Sequence, residues 1–125
     1  MLFRSASAVA IGFQAGQTGQ SANAVAIGHL AGEFHGGTGA VAVGFQAGST
    51  GQGASAVAVG VSAGQTGQGA SAVAIGNNAG SLNQGLTGAV AIGASAGQFT
   101  QGASAVAIGF QAGQTGQSVD RKSVV

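Results

Sequence analysis

The sequence predicts an all-β fold, a parallel β-solenoid flattened into a β-roll of about seven 16-residue coils. Three observations carry that expectation. The string Ala-Val-Ala-Ile/Val-Gly occurs seven times, and the steps from valine to valine are 16, 16, 16, 16, 17 and 16 residues. A short fixed period of this kind marks a solenoid. Within each string, large β-branched residues alternate with small ones, which is the period-two pattern of a strand. Finally, the 125 residues include 26 glycines and no proline. Glycine supplies the corners, and a chain without proline can donate every N–H to a neighbouring coil.

With the valine as position 3 of a 16-residue unit, the elements follow in order. Residues 1–6 are a lead-in, residues 7–117 the repeat array, and residues 118–125 a tail. Positions 2 to 6 form the first strand, and a helix there is disfavoured because glycines at positions 6 and 10 cost about 1 kcal/mol each relative to alanine. Position 6 is a corner and always glycine: Gly12, Gly28, Gly44, Gly60, Gly76, Gly93 and Gly109. A second short strand is expected over positions 8 to 12, as in residues 14–18. Position 9 is always alanine and position 10 always glycine, while position 14 is glutamine in six coils and glycine at Gly36. Glutamines at positions 8, 11 and 14 are expected to stack coil on coil, as amide ladders do in cross-β packing. The single 17-residue step falls between Gly80 and Val90, where Leu82, Leu86 and Thr87 interrupt the Gln/Gly loop. A corner bulge is the expected way to absorb it. The tail holds three of the five charged residues and reads as a cap.

Both faces of the repeated strand are apolar, as in a strand buried on both sides. The expected core ladder is the bulky face: Val9, Ile11, Val25, Ile27, Val41, Val43, Val57, Val59, Val73, Ile75, Val90, Ile92, Val106 and Ile108. The small face then forms a smooth oligomer interface of Ala8, Ala10, Ala24, Ala26, Ala40, Ala42, Ala56, Ala58, Ala72, Ala74, Ala89, Ala91, Ala105 and Ala107. The reverse assignment, with alanine inside and Val/Ile outside, is the alternative. Either way one apolar strip is left to face a partner.

The copies beginning at Asn23 and at Ser7, Ser55, Ser71 and Ser104 resemble the Asn-Ser-Val-Ala-Ile-Gly repeat of trimeric autotransporter adhesin heads. The longer unit, with Ala-Gly after the Ile-Gly and a Gln-Thr-Gly-Gln loop, is similar to fibre repeats of large DNA viruses and phages. The resemblance covers residues 7–117. It implies a left-handed parallel β-roll, usually trimeric, at a cell or virion surface, with a host surface or glycan as a further partner. The chain departs from the head repeat, which is nearer 14 residues and has serine where this chain has alanine at position 2. With no heptad stalk or membrane-anchor segment in these residues, the expectation is a fibre segment or a free self-assembling rod.

Composition narrows the function. Charged residues are 4% of the chain and the formal net charge is +1, so no basic patch for nucleic acid is present. No apolar run approaches the ~18 residues of a membrane span. Alanine accounts for 27 of the apolar residues, and the absence of cysteine removes disulfides and thiolate metal sites. Repulsion between copies is weak at so low a charge, which favours self-association.

Chemistry is sparse. His29, Glu33 and His35 share the second coil and are usual zinc-ligand types, yet the chain has only two histidines and a drifted coil is the preferred reading. Phe13, Phe45 and Phe110 recur at position 7, where corner packing is favoured over a glycan-binding stripe. Thr18, Thr50, Thr66 and Thr115 recur at position 12 but are broken by Phe34, Leu82 and Phe99, which weakens an ice-binding reading. Glu33 and Asp120 are the only acids and lie far apart, so paired-carboxylate catalysis has no basis. The expectation is a non-enzymatic structural or adhesive rod without cofactors, its partner itself as a trimer or filament, and ligand binding (ice or glycan) as the alternative.

Overall fold

The computed structural model describes residues 6–84 and 87–116 and the backbone of 122–124. Those residues form a β-solenoid of ten three-residue strands, with no helix among them. The repeated strings give β1 (Val9–Ile11), β2 (Val25–Ile27), β4 (Val41–Val43), β6 (Val57–Val59), β7 (Val73–Ile75), β8 (Val90–Ile92) and β9 (Val106–Ile108). β3 (Phe34–Gly36) and β5 (Thr50–Gln52) lie on the opposite wall, and β10 (Lys122–Val124) follows in the tail.

The main sheet is parallel and eight-stranded, in the order β1-β2-β4-β6-β7-β8-β9-β10. Its register places each valine on the next, Val9 on Val25 and so on to Val90 on Val106. Six turns therefore separate β1 from β9. Although the repeat sequence decays in the tail, β10 keeps the spacing, with Lys122 on Val106. The tail thus supplies an eighth rung.

Hydrogen bonds continue through the corners. Gly28 donates to the Ile11 carbonyl at 2.7 Å, Leu30 to Phe13 at 3.0 Å, and Thr18 to Glu33 at 2.8 Å. Corner amides at positions 6, 8 and 10 are thereby satisfied by a neighbouring coil, while the position-9 amide turns back within its own coil, as in Ala31 N to the Gly28 carbonyl at 3.3 Å, in keeping with the pairing that buried backbone requires. The position-6 glycines have φ between 122° and 131°, a region open only to glycine in practice. A Cβ on Gly12, Gly28, Gly44, Gly60, Gly76 or Gly93 would also stand 2.6–2.7 Å from the carbonyl oxygen of the equivalent glycine one coil on.

The second wall begins later than positions 8 to 12. Its strands cover positions 12 to 14, extended by bridges pairing Thr18 with Phe34, Thr50 with Thr66, Thr66 with Leu82, Leu82 with Phe99 and Phe99 with Thr115. The reason is local. Position 8 is left-handed in every coil, as at Gln14 and Leu30, and so is the glycine at position 10. Those residues turn the chain before a strand can start.

The two faces of the main sheet are reversed from the expected core ladder and interface. Ala24, Ala26, Ala40, Ala42, Ala56, Ala58, Ala72, Ala74, Ala89, Ala91, Ala105 and Ala107 are at most 3% exposed and lie inside. In the first coil Ala8 and Ala10 are half-buried. The position-9 alanines, from Ala15 to Ala112, complete the interior at no more than 2% exposure. Val9, Ile11, Ile27, Ile75 and Ile108 are exposed. Val25, Val41, Val43, Val57, Val59, Val73, Val90, Ile92 and Val106 are half-buried. Alternation along the strand turns this whole set outward. The cause is the narrowness of the roll: a Cβ added to Gly32 would lie 3.3 Å from the Ala26 methyl across the interior. Between walls this close, methyl groups fit and isopropyl groups do not.

The position-14 glutamines fill what the methyls leave. Gln20, Gln52, Gln68, Gln84 and Gln101 are at most 4% exposed, and their amides run along the axis. Gln68 Nε2 donates to the Val57 carbonyl at 2.7 Å, to the Ala72 carbonyl at 3.3 Å and to Gln84 Oε1 at 3.2 Å. The extra residue of the 17-residue step lies just after this ladder. Gln84 Nε2 reaches Val73 at the usual separation of eleven, but its second acceptor, Ala89, is five residues on instead of four. Leu86 lies outside the described residues.

Candidate interaction surface

Because alanine and glutamine fill the interior, the large apolar side chains are displayed on the outside. Three stripes run along the rod. The first is the Val/Ile ladder of the main sheet, two β-branched residues per rung in register over seven coils. Its exposure peaks in the first coil, with Val9 at 42% and Ile11 at 60%. A parallel sheet is ordinarily covered on both faces, and among the described residues no element of this one lies on its outer face.

The second stripe follows position 7 along one corner. Phe13, His29 and Phe45 stack with ring centroids 5.3 Å apart and planes within 10° of each other. This is the geometry forced by one aromatic per coil at a repeat near 4.8 Å. The stack covers both faces of the His29 ring and turns ring edges to solvent. Glycan stacking needs an open ring face, which His29 in the middle of the stack does not offer. Val61 continues the line, Asn77 and Ala94 break it, and Phe110 stands alone at 69% exposure.

The third stripe lies on the second wall at position 12. Thr18, Thr50, Thr66 and Thr115 are interrupted by Phe34, Leu82 and Phe99, all of them exposed. Beside it the position-11 and position-8 side chains bond between coils, Gln65 to Gln46 at 3.2 Å and Gln114 to Gln98 at 2.9 Å. The hydroxyl ladder is too interrupted to offer a uniform surface.

Little else on the rod is reactive. His29 is engaged in the aromatic stack, and His35 sits at position 13 on the exposed side of β3. Among the described residues no three His, Cys, Asp or Glu side chains come close enough to hold a metal ion. Asp120 lies outside the described residues.

The strand, the corner glycines and the two apolar faces are legible in the sequence, whereas the sign of the faces is not read from hydrophobicity. A subtler signal was present. Positions 2, 4 and 9 are alanine in all seven coils, while position 5 alternates between isoleucine and valine. Position 3, on the same outer face, is valine in all seven coils, so variation marks the outer face at position 5 alone. Compared with known proteins, the chain matches no family model, no curated relative and no solved structure.

Proposed function

We propose that the chain is a structural fibre segment that assembles with copies of itself through the outward Val/Ile ladder. The single observation behind this reading is that ladder: fourteen β-branched side chains in register on the outer face of a parallel sheet. Contiguous apolar patches beyond a few hundred Å² mark interaction sites, and covering such a face gains about 25 cal/mol per Å² of apolar surface. Five charged residues in 125 leave little repulsion to oppose association. The fibre-repeat resemblance points the same way, toward an adhesive or scaffolding rod, either bundled as a trimer or joined end to end.

Light scattering and electron microscopy test the reading. The wild-type chain at micromolar concentration should be oligomeric, and micrographs should distinguish bundles from filaments. The double variant Val57→Glu/Val73→Glu should disperse the oligomer while keeping its β-type circular dichroism, because both positions lie outside the interior. A monodisperse wild-type monomer would overturn the proposal. The regular, flat Val/Ile array also suits an ice-facing surface, and thermal hysteresis by a monomeric chain would favour that reading instead.

A further inference from the structure

The buried glutamine ladder has one missing rung. Position 14 of the second coil is Gly36, between Gln20 one coil before and Gln52 one coil after. Gly36 is buried, yet a Cβ placed on it would have no heavy atom within 4 Å. The position-10 glycines give a second view of the same space. At Gly16, Gly48, Gly64, Gly80 and Gly97 an added Cβ would meet the glutamine Oε1 of its own coil at 2.5–2.7 Å. At Gly32 it would meet only the Ala26 and Ala42 methyls, at 3.3 and 3.7 Å. The volume that a glutamine side chain fills in neighbouring coils is therefore occupied by no protein atom in this one.

The polar groups that would serve that glutamine remain in place. In the third coil Gln52 Nε2 donates to the Val41 carbonyl at 2.8 Å, the Ala56 carbonyl at 3.4 Å and Gln68 Oε1 at 3.3 Å. One coil earlier the equivalent acceptors are the Val25 carbonyl, the Ala40 carbonyl and Gln52 Oε1, converging on one point. On the opposite side of the slot stands Gln20 Nε2, a donor already held by Val9 and Ala24 carbonyls at 2.8 and 3.3 Å. Three acceptors on one side, a donor on the other, alanine methyls around and no ionisable group among these lining residues describe the complement of one chemical group.

We infer that the Gly36 slot is a binding site for a small primary carboxamide. The ligand's NH₂ meets Val25 O, Ala40 O and Gln52 Oε1, and its carbonyl oxygen faces Gln20 Nε2. The slot lies inside the roll, so it is independent of the assembly reading. The Ala40 carbonyl already accepts from Val25 N–H at 2.8 Å and keeps a second lone pair for the ligand, so supplied N–H groups set a carboxamide above an isosteric ligand without them.

Differential scanning calorimetry of the whole chain tests this with acetamide as the probe. Binding to the folded state alone raises Tm with a saturating dependence on ligand. Millimolar acetamide should raise the wild-type Tm to a plateau, and acetone, nearly the same shape but without N–H, should not. Gly36→Gln completes the ladder internally, and the φ of Gly36 is not among the positive ones, so the variant should melt higher than wild type and ignore acetamide. No rise, a rise shared by acetone, or a rise retained in Gly36→Gln would overturn the inference. The comparison of acetamide with acetone on wild type stands even if the variant misfolds.

Discussion

Ala58 and Ala74 have no exposure and face the opposite wall across a space that admits little beyond a methyl. Enlarging either strains the roll. Ala74→Val should cost about 1–3 kcal/mol, the usual range for overpacking a tight interior, read as a lower urea midpoint. Ala58→Glu should abolish the fold, since a buried unpaired carboxylate cannot be accommodated. Val73→Ala, on the outer face of the same strand, should change monomer stability by less than about 1 kcal/mol while weakening the assembly proposed above. That contrast inverts the ordinary intuition that valine outranks alanine in a core. It also explains what the sequence made legible. Period, strand and corners follow from spacing and glycine, because backbone geometry leaves no choice at Gly12 or Gly28. The inner face does not follow from hydrophobicity, because both faces are apolar and the separation of the walls decides between them. That separation is fixed by left-handed residues such as Gln14 and Leu30, whose side chains advertise nothing of the kind.

The coil is built from short strands joined by corners that are themselves hydrogen-bonded, so corner glycines differ in what they tolerate. At Gly60, φ is +127° and a Cβ would lie 2.7 Å from the Gly76 carbonyl oxygen. Gly60→Ala should therefore cost more than about 2 kcal/mol, combining backbone strain with a clash against a neighbouring coil. In a one-dimensional array the damage stays local. Amide exchange should accelerate in the fourth and fifth coils, which hold Gly60 and Gly76, and remain slow in the second. Gly39 makes the opposite case. Its φ of +67° lies in the left-handed region that Ser55 (+56°) and Ser71 (+57°) occupy one and two coils on, and a Cβ would meet nothing closer than 3.8 Å. Gly39→Ser should be neutral within about 0.5 kcal/mol.

Across the whole molecule, register makes the coil a removable unit. Deleting residues 57–72 brings Val73 to the place of Val57 and restores every ladder, so the shortened chain should fold with one rung, about 4.8 Å, less of rod. Deleting residues 57–64 sets a second wall against a first and should leave no cooperative melting transition by calorimetry. The interior glutamines add something that the backbone repeat lacks. Gln52, Gln68 and Gln84 each donate to the glutamine of the following coil, and Gln68, Gln84 and Gln101 accept from the preceding one. On the N-terminal side of the Gly36 gap, Gln20 Oε1 is buried without a hydrogen-bond partner among the described residues. The row of amides is thus an arrow. Whatever meets its leading end must bring donors, and whatever meets its trailing end must bring acceptors. Two rods joined core to core can match head to tail and in no other sense, so a filament of this protein would carry a direction from one terminus to the other.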